Sequence, residues 1–212
     1  MKNKVTTEFQ AGKAQIFKSP ALEKLTNTNP FVNIAFYGLA IIGLILTGLF
    51  VIDLNAPLFI GLFVSGILFW TLIEYLLHRF IFHWIVDSRW SKRFHFIIHG
   101  AHHSYPSDED RLLMPPVPGF IIAGSLFGMY YLIFWVIGVP HFTFGFFPGM
   151  FFGYLMYSFL HRATHISSPP KLFAHLWHHH QLHHYKYPDK AYGVSTFFWD
   201  RVFGTMPPKK MR

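Results

Sequence analysis

Apolar residues in this chain gather into four long runs, at about residues 33–52, 58–77, 119–139 and 142–160, with polar and charged residues between and beyond them. Each run comes close to the roughly 20 apolar residues that an α-helix needs to cross a bilayer. The pattern therefore predicts four transmembrane helices. The links "DLNAP" and "VPH" leave room only for tight turns, so the helices pair as two hairpins. A soluble core of four buried helices is the alternative, and too little polar sequence remains to cover one. Residues 1–30 are polar and mixed, and predict an interfacial or loosely ordered N-terminal arm ahead of one membrane domain over 31–212. The first run starts too far into the chain, and is too long, for the apolar region of a cleavable signal peptide. The run "GFFPGMFFG" spaces Gly145, Gly149 and Gly153 four apart, which predicts close helix packing with a bend at Pro148.

Charge orients the helices. Five Lys and Arg fall in residues 2–24, five in 79–111 and eight in 162–212, with none in the two short turns. By the positive-inside rule the three basic segments, and with them both termini, are cytoplasmic. The net charge of +8 then reflects attraction to anionic lipid. No basic motif interleaved with aromatics points to nucleic acid as a partner. The chain has no cysteine, which excludes disulfides, thiolate metal sites, iron–sulfur clusters and cysteine nucleophiles. Its 15 histidines and 10 carboxylates remain as strong metal ligands.

Fourteen of the histidines lie in the cytoplasmic segments or at the span ends that feed them; His141 alone sits in a far-side turn. "HRFIFH" holds His78 and His83, "HGAHH" holds His99, His102 and His103, and "HRATH" holds His161 and His165. "HLWHHHQLHHY" holds two end-to-end triads, His175, His178, His179 and His180, His183, His184. Residues three and four apart share a helix face, so the second and third groups can each converge. His78 and His83 lie about 140° apart on an ideal α-helix, and so serve two metals or sit on a π-bulge. On one unbroken helix the two triads of the last group point more than a right angle apart, so one binds metal and the other does not. Geometry leaves the choice open. Counting either triad, ten imidazoles overfill one first-row metal, which accepts about four to six ligands, and fit two. Imidazole suits iron, copper, nickel and zinc alike. Glu74, four residues before His78, either orients a ligand ring or is an interfacial acid.

"HRFIFH", "HGAHHSYPSDEDRLLMPP", "HRATH" and "HHHQLHHYKYPDKAYGVSTFFWDRVFGT" together resemble the fatty acid 2-hydroxylase branch of the histidine-box membrane fatty acid hydroxylase superfamily, over about residues 74–205. The resemblance chooses the triad followed by an aromatic residue, His180, His183 and His184 before Tyr185, and carries His78, His83, His99, His102, His103, His161 and His165 over as ligands. His175 and His178 fall outside its pattern. His179 stands beside it as a group that supports a ligand. The resemblance implies an all-α integral membrane protein whose four transmembrane helices carry a cytoplasmic helical cap with a histidine-rich dinuclear metal site. It implies two iron ions, replaceable by zinc in a purified protein, and hydroxylation of C2 of a fatty acyl or sphingolipid chain with O2 and two electrons. Arg111 is a candidate contact to a polar head or a partner of Asp108, and Tyr185 a candidate substrate contact. Asp200 either supports a ligand histidine or caps a helix. The first 77 residues hold no haem-ligand pair, so electrons are expected from a separate cytochrome b5-like or ferredoxin-like protein. That departure favours a bacterial inner membrane, although the tail "KKMR" fits an endoplasmic reticulum retrieval pattern. The rival readings are a related oxidase or desaturase acting on a sterol, carotenoid or alkane, and a metal transporter. The "RLLMPP" and "FWDRVFGT" stretches weigh against the first. The scarcity of ionisable groups at span centres weighs against the second.

Overall fold

A computed structural model describes residues 9–208, which are helical throughout their regular structure. Residues 1–8 of the N-terminal arm and the "KKMR" tail lie outside the described residues. Proline and small polar residues set the helix starts. Helix α1 is Pro20–Lys24 and opens on a proline after Ser19. Helix α2, Pro30–Leu46, begins where the Asn29 side chain accepts from the N–H groups of Phe31 and Val32 at 2.9 and 3.3 Å. A π-turn, Thr47–Val51, extends it. Asp53, at φ 58°, reverses the chain in the left-handed region that Asp tolerates better than most residues. Helix α3, Ala56–Leu77, follows, with the Asn55 side chain accepting from Leu58 N–H at 3.0 Å. A second π-turn, His78–Phe82, continues it. Helix α4, Arg89–His95, is capped by Ser88 and runs through a third π-turn, Phe96–Gly100, into α5, Ala101–Ser104. The remaining helices are α6 (Pro116–Val136), α7 (Thr143–Ile166), α8 (Ala174–Tyr185) and α9 (Phe198–Val202).

The chain divides into two compact units. One holds residues 28–74 and 113–160, and so α2, α6 and most of α3 and α7. Its core is aromatic: Tyr37 is buried, with its ring edge-on to Phe151 and Tyr154 and its hydroxyl donating to the Met114 carbonyl. The predicted glycine stripe lies where α7 meets α3. A Cβ on Gly149 would stand 2.0 Å from the Phe63 carbonyl oxygen, and one on Gly66 would stand 2.1 Å from that of Phe146. Helix α7 runs unbroken through Pro148. Gly149→Val is therefore expected to force the two backbones apart and destabilise the protein by about 1–3 kcal/mol, as overpacking does. A melting curve in detergent that matches wild type would contradict this close approach.

Three helical stretches, Pro30–Val51, Ala56–Phe82 and Glu109–Val136, are long and apolar enough to cross a membrane. Only 17, 17 and 11% of their most apolar windows is buried in the protein. Phe31, Leu39, Leu68, Phe120 and Leu132 are among the large side chains left exposed, an apolar surface that water does not tolerate at this extent. The chain is a membrane protein. The fourth predicted run falls on α7, where Tyr154, Tyr157, Ser158 and the glycines lower the mean hydropathy, and α7 is not one of these three.

The other unit holds residues 9–27, 75–112 and 161–208 of the described chain. Its N-terminal segment is tied down. Gln10 N–H donates to the Ser104 carbonyl at 2.8 Å and Ala14 N–H to Asp108 at 2.9 Å. Ala14 and Ile16 are buried with Ala101, packed against by Phe17, Phe96 and Tyr105. The described part of the predicted arm is thus hydrogen-bonded and packed, because its small apolar residues find a surface within this unit.

Candidate metal centre

Helical geometry brings the histidines together. In the π-turn at His78–Phe82, His83 N–H reaches back five residues to the His78 carbonyl at 3.3 Å. That winding puts residues i and i+5 on one face, where an α-helix would splay them. His78 and His83 join His99, His103 and His183 in a first group, and His102, His161, His165, His180 and His184 form a second. Within each group of five, one ring nitrogen per residue lies within 4.8 Å of all the others. The first and third histidine boxes each serve one group; the second and fourth are split. His99 and His103 lie four apart and face the first group, while His102 faces the second. On the unbroken helix α8, His183 turns to the first group and His180 and His184 to the second. The groups adjoin where the rings of His103 and His184 stack at 4.2 Å.

The inward nitrogens converge on one another. Nε2 of His78 lies 3.1 Å from Nε2 of His99, which lies 2.9 Å from Nε2 of His103; His83 and His183 face each other at 3.0 Å. In the second group, Nε2 of His102 stands 3.0 Å from those of both His161 and His184, and His165 faces His180 at 2.9 Å. His78 and His183 commit their Nδ1–H to backbone carbonyls, of Tyr192 at 2.5 Å and Lys190 at 2.7 Å. Their Nε2 atoms are therefore bare lone pairs pointing inward. Protonation does not relieve the convergence. Burial, reinforced by neighbouring rings, pushes His99, His102, His103, His180 and His184 well below the ordinary imidazole value. Burial also lowers His183, to about 4, although its hydrogen bond to the Lys190 carbonyl opposes the shift. Two sets of five neutral nitrogen donors fit two divalent first-row cations. In the second group Nδ1 of His102, His180 and His184 is buried without a partner, so its outer face is less tightly held.

Other singled-out residues fall around this cluster. Asp200 is fully buried, and its carboxylate accepts from His179 Nε2 at 3.0 Å, Tyr192 N–H at 2.9 Å, Gly193 N–H at 2.8 Å and the Thr205 hydroxyl at 2.6 Å. Burial alone would raise its pKa, and the donors from His179, Thr205 and Gly193 outweigh that and hold it below the usual carboxylate value. It does not cap α9, where Phe198 N–H goes to Thr196 instead. Arg111 is paired with Asp108 at 2.7 Å and with Glu23, and its side chain is buried. Tyr185 is exposed, its ring 4.8 Å from that of Phe9. Glu74 is buried, in the other unit. No carboxylate joins either histidine group among the described residues. His175 and His178 are exposed. His95 is not among the histidines singled out from the sequence, although it lies four before His99. Its Nδ1 donates to the Phe82 carbonyl at 2.6 Å, at the end of the π-turn that precedes His83. The carbonyls of Lys190 and Tyr192 carry no signal in residue type, since any residue could supply them.

Comparison with known proteins agrees with the sequence patterns. A family model described as fatty acid hydroxylase matches residues 63–205. The chain is 40% identical over 150 residues to the dihydroceramide fatty acyl 2-hydroxylase FAH2 of Arabidopsis thaliana, covering 70% of this chain and 62% of that protein. It is 38% identical over 157 residues to the fatty acid 2-hydroxylase of Rattus norvegicus, covering 72 and 41%. It is 42% identical over 147 residues to the ceramide very long chain fatty acid hydroxylase SCS7 of Saccharomyces cerevisiae, covering 68 and 37%. The matched region thus spans between 37 and 62% of the length of these relatives. A solved structure of full-length scs7p, with only the hydroxylase domain visible, superposes with a TM-score of 0.83 at 34% identity, over 93% of this chain and 74% of that one. These relatives come from a plant, a mammal and a yeast, which does not favour the expected bacterial membrane.

Proposed function

This chain belongs to the fatty acid hydroxylase family, and from that premise we propose that it hydroxylates C2 of a fatty acyl chain, free or carried in a ceramide. One atom of O2 enters the C–H bond and the other leaves as water, with two electrons from a separate donor protein and two protons. The observation that carries this reading is the pair of adjoining five-histidine groups, in a chain with about 40% identity to enzymes named for 2-hydroxylation of acyl chains. Two iron ions, held by His78, His83, His99, His103 and His183 and by His102, His161, His165, His180 and His184, would supply the redox chemistry that activates O2. The chain's own part is to keep the ligand rings neutral and aimed, through Nδ1–H bonds such as those of His78 and His183. In this reading α2, α3, α6 and α7 all cross the membrane as two hairpins, α7 through its glycine contact with α3, and the basic segments put both histidine groups on the cytoplasmic side. Arg111, paired through its two terminal nitrogens with two acids, holds the 108–111 segment to Glu23 rather than meeting a head group.

The test is turnover of the purified protein, loaded with ferrous iron in lipid nanodiscs, with a cytochrome b5-like donor and its reductase. Supplied with 18O2 and either a ceramide or a free fatty acid, it is expected to form a 2-hydroxyacyl product carrying one labelled oxygen. A product hydroxylated elsewhere, or none from protein that holds two irons, overturns C2 chemistry.

A further inference from the structure

We propose that Asp200 is a positioning residue for the first histidine group alone, acting through the backbone of residues 190–193. The inference rests on reading that group as a metal site. Two peptide links act as clamps. In the link between Tyr192 and Gly193, the carbonyl accepts from His78 Nδ1 at 2.5 Å while the N–H donates to Asp200 Oδ2 at 2.8 Å. In the link between Lys190 and Ala191, the carbonyl accepts from His183 Nδ1 at 2.7 Å while the N–H donates to the Thr205 carbonyl at 2.9 Å. A trans peptide is planar, and its C=O and N–H point in opposite directions. No cis peptide occurs among the described residues. Clamping each N–H therefore aims the carbonyl on the other side, and each carbonyl holds one ligand ring.

Asp200 is the point to which these clamps converge. Its two oxygens take four donors, from Tyr192, Gly193, Thr205 and His179, which fills a carboxylate's lone-pair sites. It also holds Thr205 in place for Ala191, since Thr205 N–H donates to the Asp200 backbone carbonyl at 2.8 Å. The local sequence is shaped to permit this. A Cβ on Gly193 would stand 2.0 Å from the Thr196 carbonyl oxygen and 3.0 Å from Asp200 Oδ2, so a larger residue would displace the N–H from the carboxylate. Ala191 is buried in the left-handed region at φ 57°, an unfavourable conformation for a residue with a Cβ, which persists only where surroundings dictate it. None of these contacts is made to a ring of the second group: His179, the partner of Asp200 on α8, belongs to neither group. The second group's His161 bonds instead to Leu112, and its His102, His180 and His184 have no partner at Nδ1.

The test is a titration of the metal-free full chain in detergent with cobalt(II), and separately zinc, counting equivalents and affinities. Wild type is expected to bind two equivalents. Asp200→Ala, and Asp200→Asn, which preserves volume but turns an acceptor into a donor, are expected to keep one equivalent at wild-type affinity and to weaken the other by about 10–100-fold. Paired changes assign the weakened site. Asp200→Ala with His83→Ala should still bind one equivalent tightly, whereas Asp200→Ala with His165→Ala should bind none tightly. If wild type binds two and both Asp200 variants bind two unchanged, the latch is overturned while the metal reading stands. Loss of both equivalents in both variants, or in the His83 pair, also overturns it, because the effect then spreads beyond the first group. If wild type itself binds none, the metal reading fails.

Discussion

Replacing His183 with alanine is expected to abolish hydroxylation, and replacing His180 likewise, while His178→Ala leaves activity within about twofold of wild type. The three residues lie within six positions on one helix, so composition and helix propensity barely distinguish them. Their surroundings do. His183 and His180 are fully buried and point into different groups, whereas His178 is exposed. Removing a ring that merely supports a ligand already costs about 10–100-fold in activity or affinity. Losing the ligand itself should reach or exceed the upper end of that range, and exposed substitutions away from such features fall within about 0.5 kcal/mol. The checks are product formation by mass spectrometry and metal content per chain. Equal activity of His178→Ala and His183→Ala, or selective loss in His178→Ala, would sink the assignment of the triad. His183→Ala is further expected to spare the tight equivalent held by the second group, and His180→Ala to spare that of the first.

Metal removal should have the second largest effect, on stability rather than rate. Ten imidazoles turn their inward nitrogens toward one another, and burial opposes the protons that would otherwise supply positive charge. A cation bound at about a thousand times its dissociation constant stabilises the folded state by about 4 kcal/mol at each site. Stripping the protein with a chelator is therefore expected to lower its melting temperature strongly. It should also open the histidine-bearing unit to protease in the segments at residues 104–110 and 186–196, before the apolar helices are cut. Restoring zinc should recover stability without turnover, since zinc has no redox chemistry. A melting curve and a cleavage pattern unaffected by chelation, in protein confirmed to have lost its metal, would show that the two groups do not depend on ions for their cohesion.

Much of this architecture is legible in the amino-acid sequence. The positions of α2, α3, α6 and α7 follow from long apolar runs, and those of α2, α3 and α6 are long and apolar enough to cross a bilayer, because burial of a helix in lipid demands that composition. The ligand types follow from the absence of cysteine, and convergence of His99 with His103, and of His161 with His165, follows from their spacing of four. Spacing fails where winding changes. His78 and His83 share a group only because the helix adopts a π-turn at that point, an outcome the i, i+5 interval permits but does not require. His95 stands one turn before His99, yet spacing does not reveal its role, because it supports a π-turn end rather than joining a group.

What the chain alone determined is therefore one-dimensional: where the four long apolar helices run, and which side chains can bind a metal. Periodicity and composition suffice for that, since both act over a few neighbouring residues. The division of ten histidines into two fives, the splitting of adjacent residues such as His102 and His103 or His183 and His184 between groups, and the anchoring of His78 and His183 through Asp200 were decided by tertiary structure. A helix fixes the direction of each ring relative to its own axis. Which nitrogen lies about 3 Å away across 100 residues, as His183 does from His83, depends on how separate segments dock, and no local pattern encodes that distance.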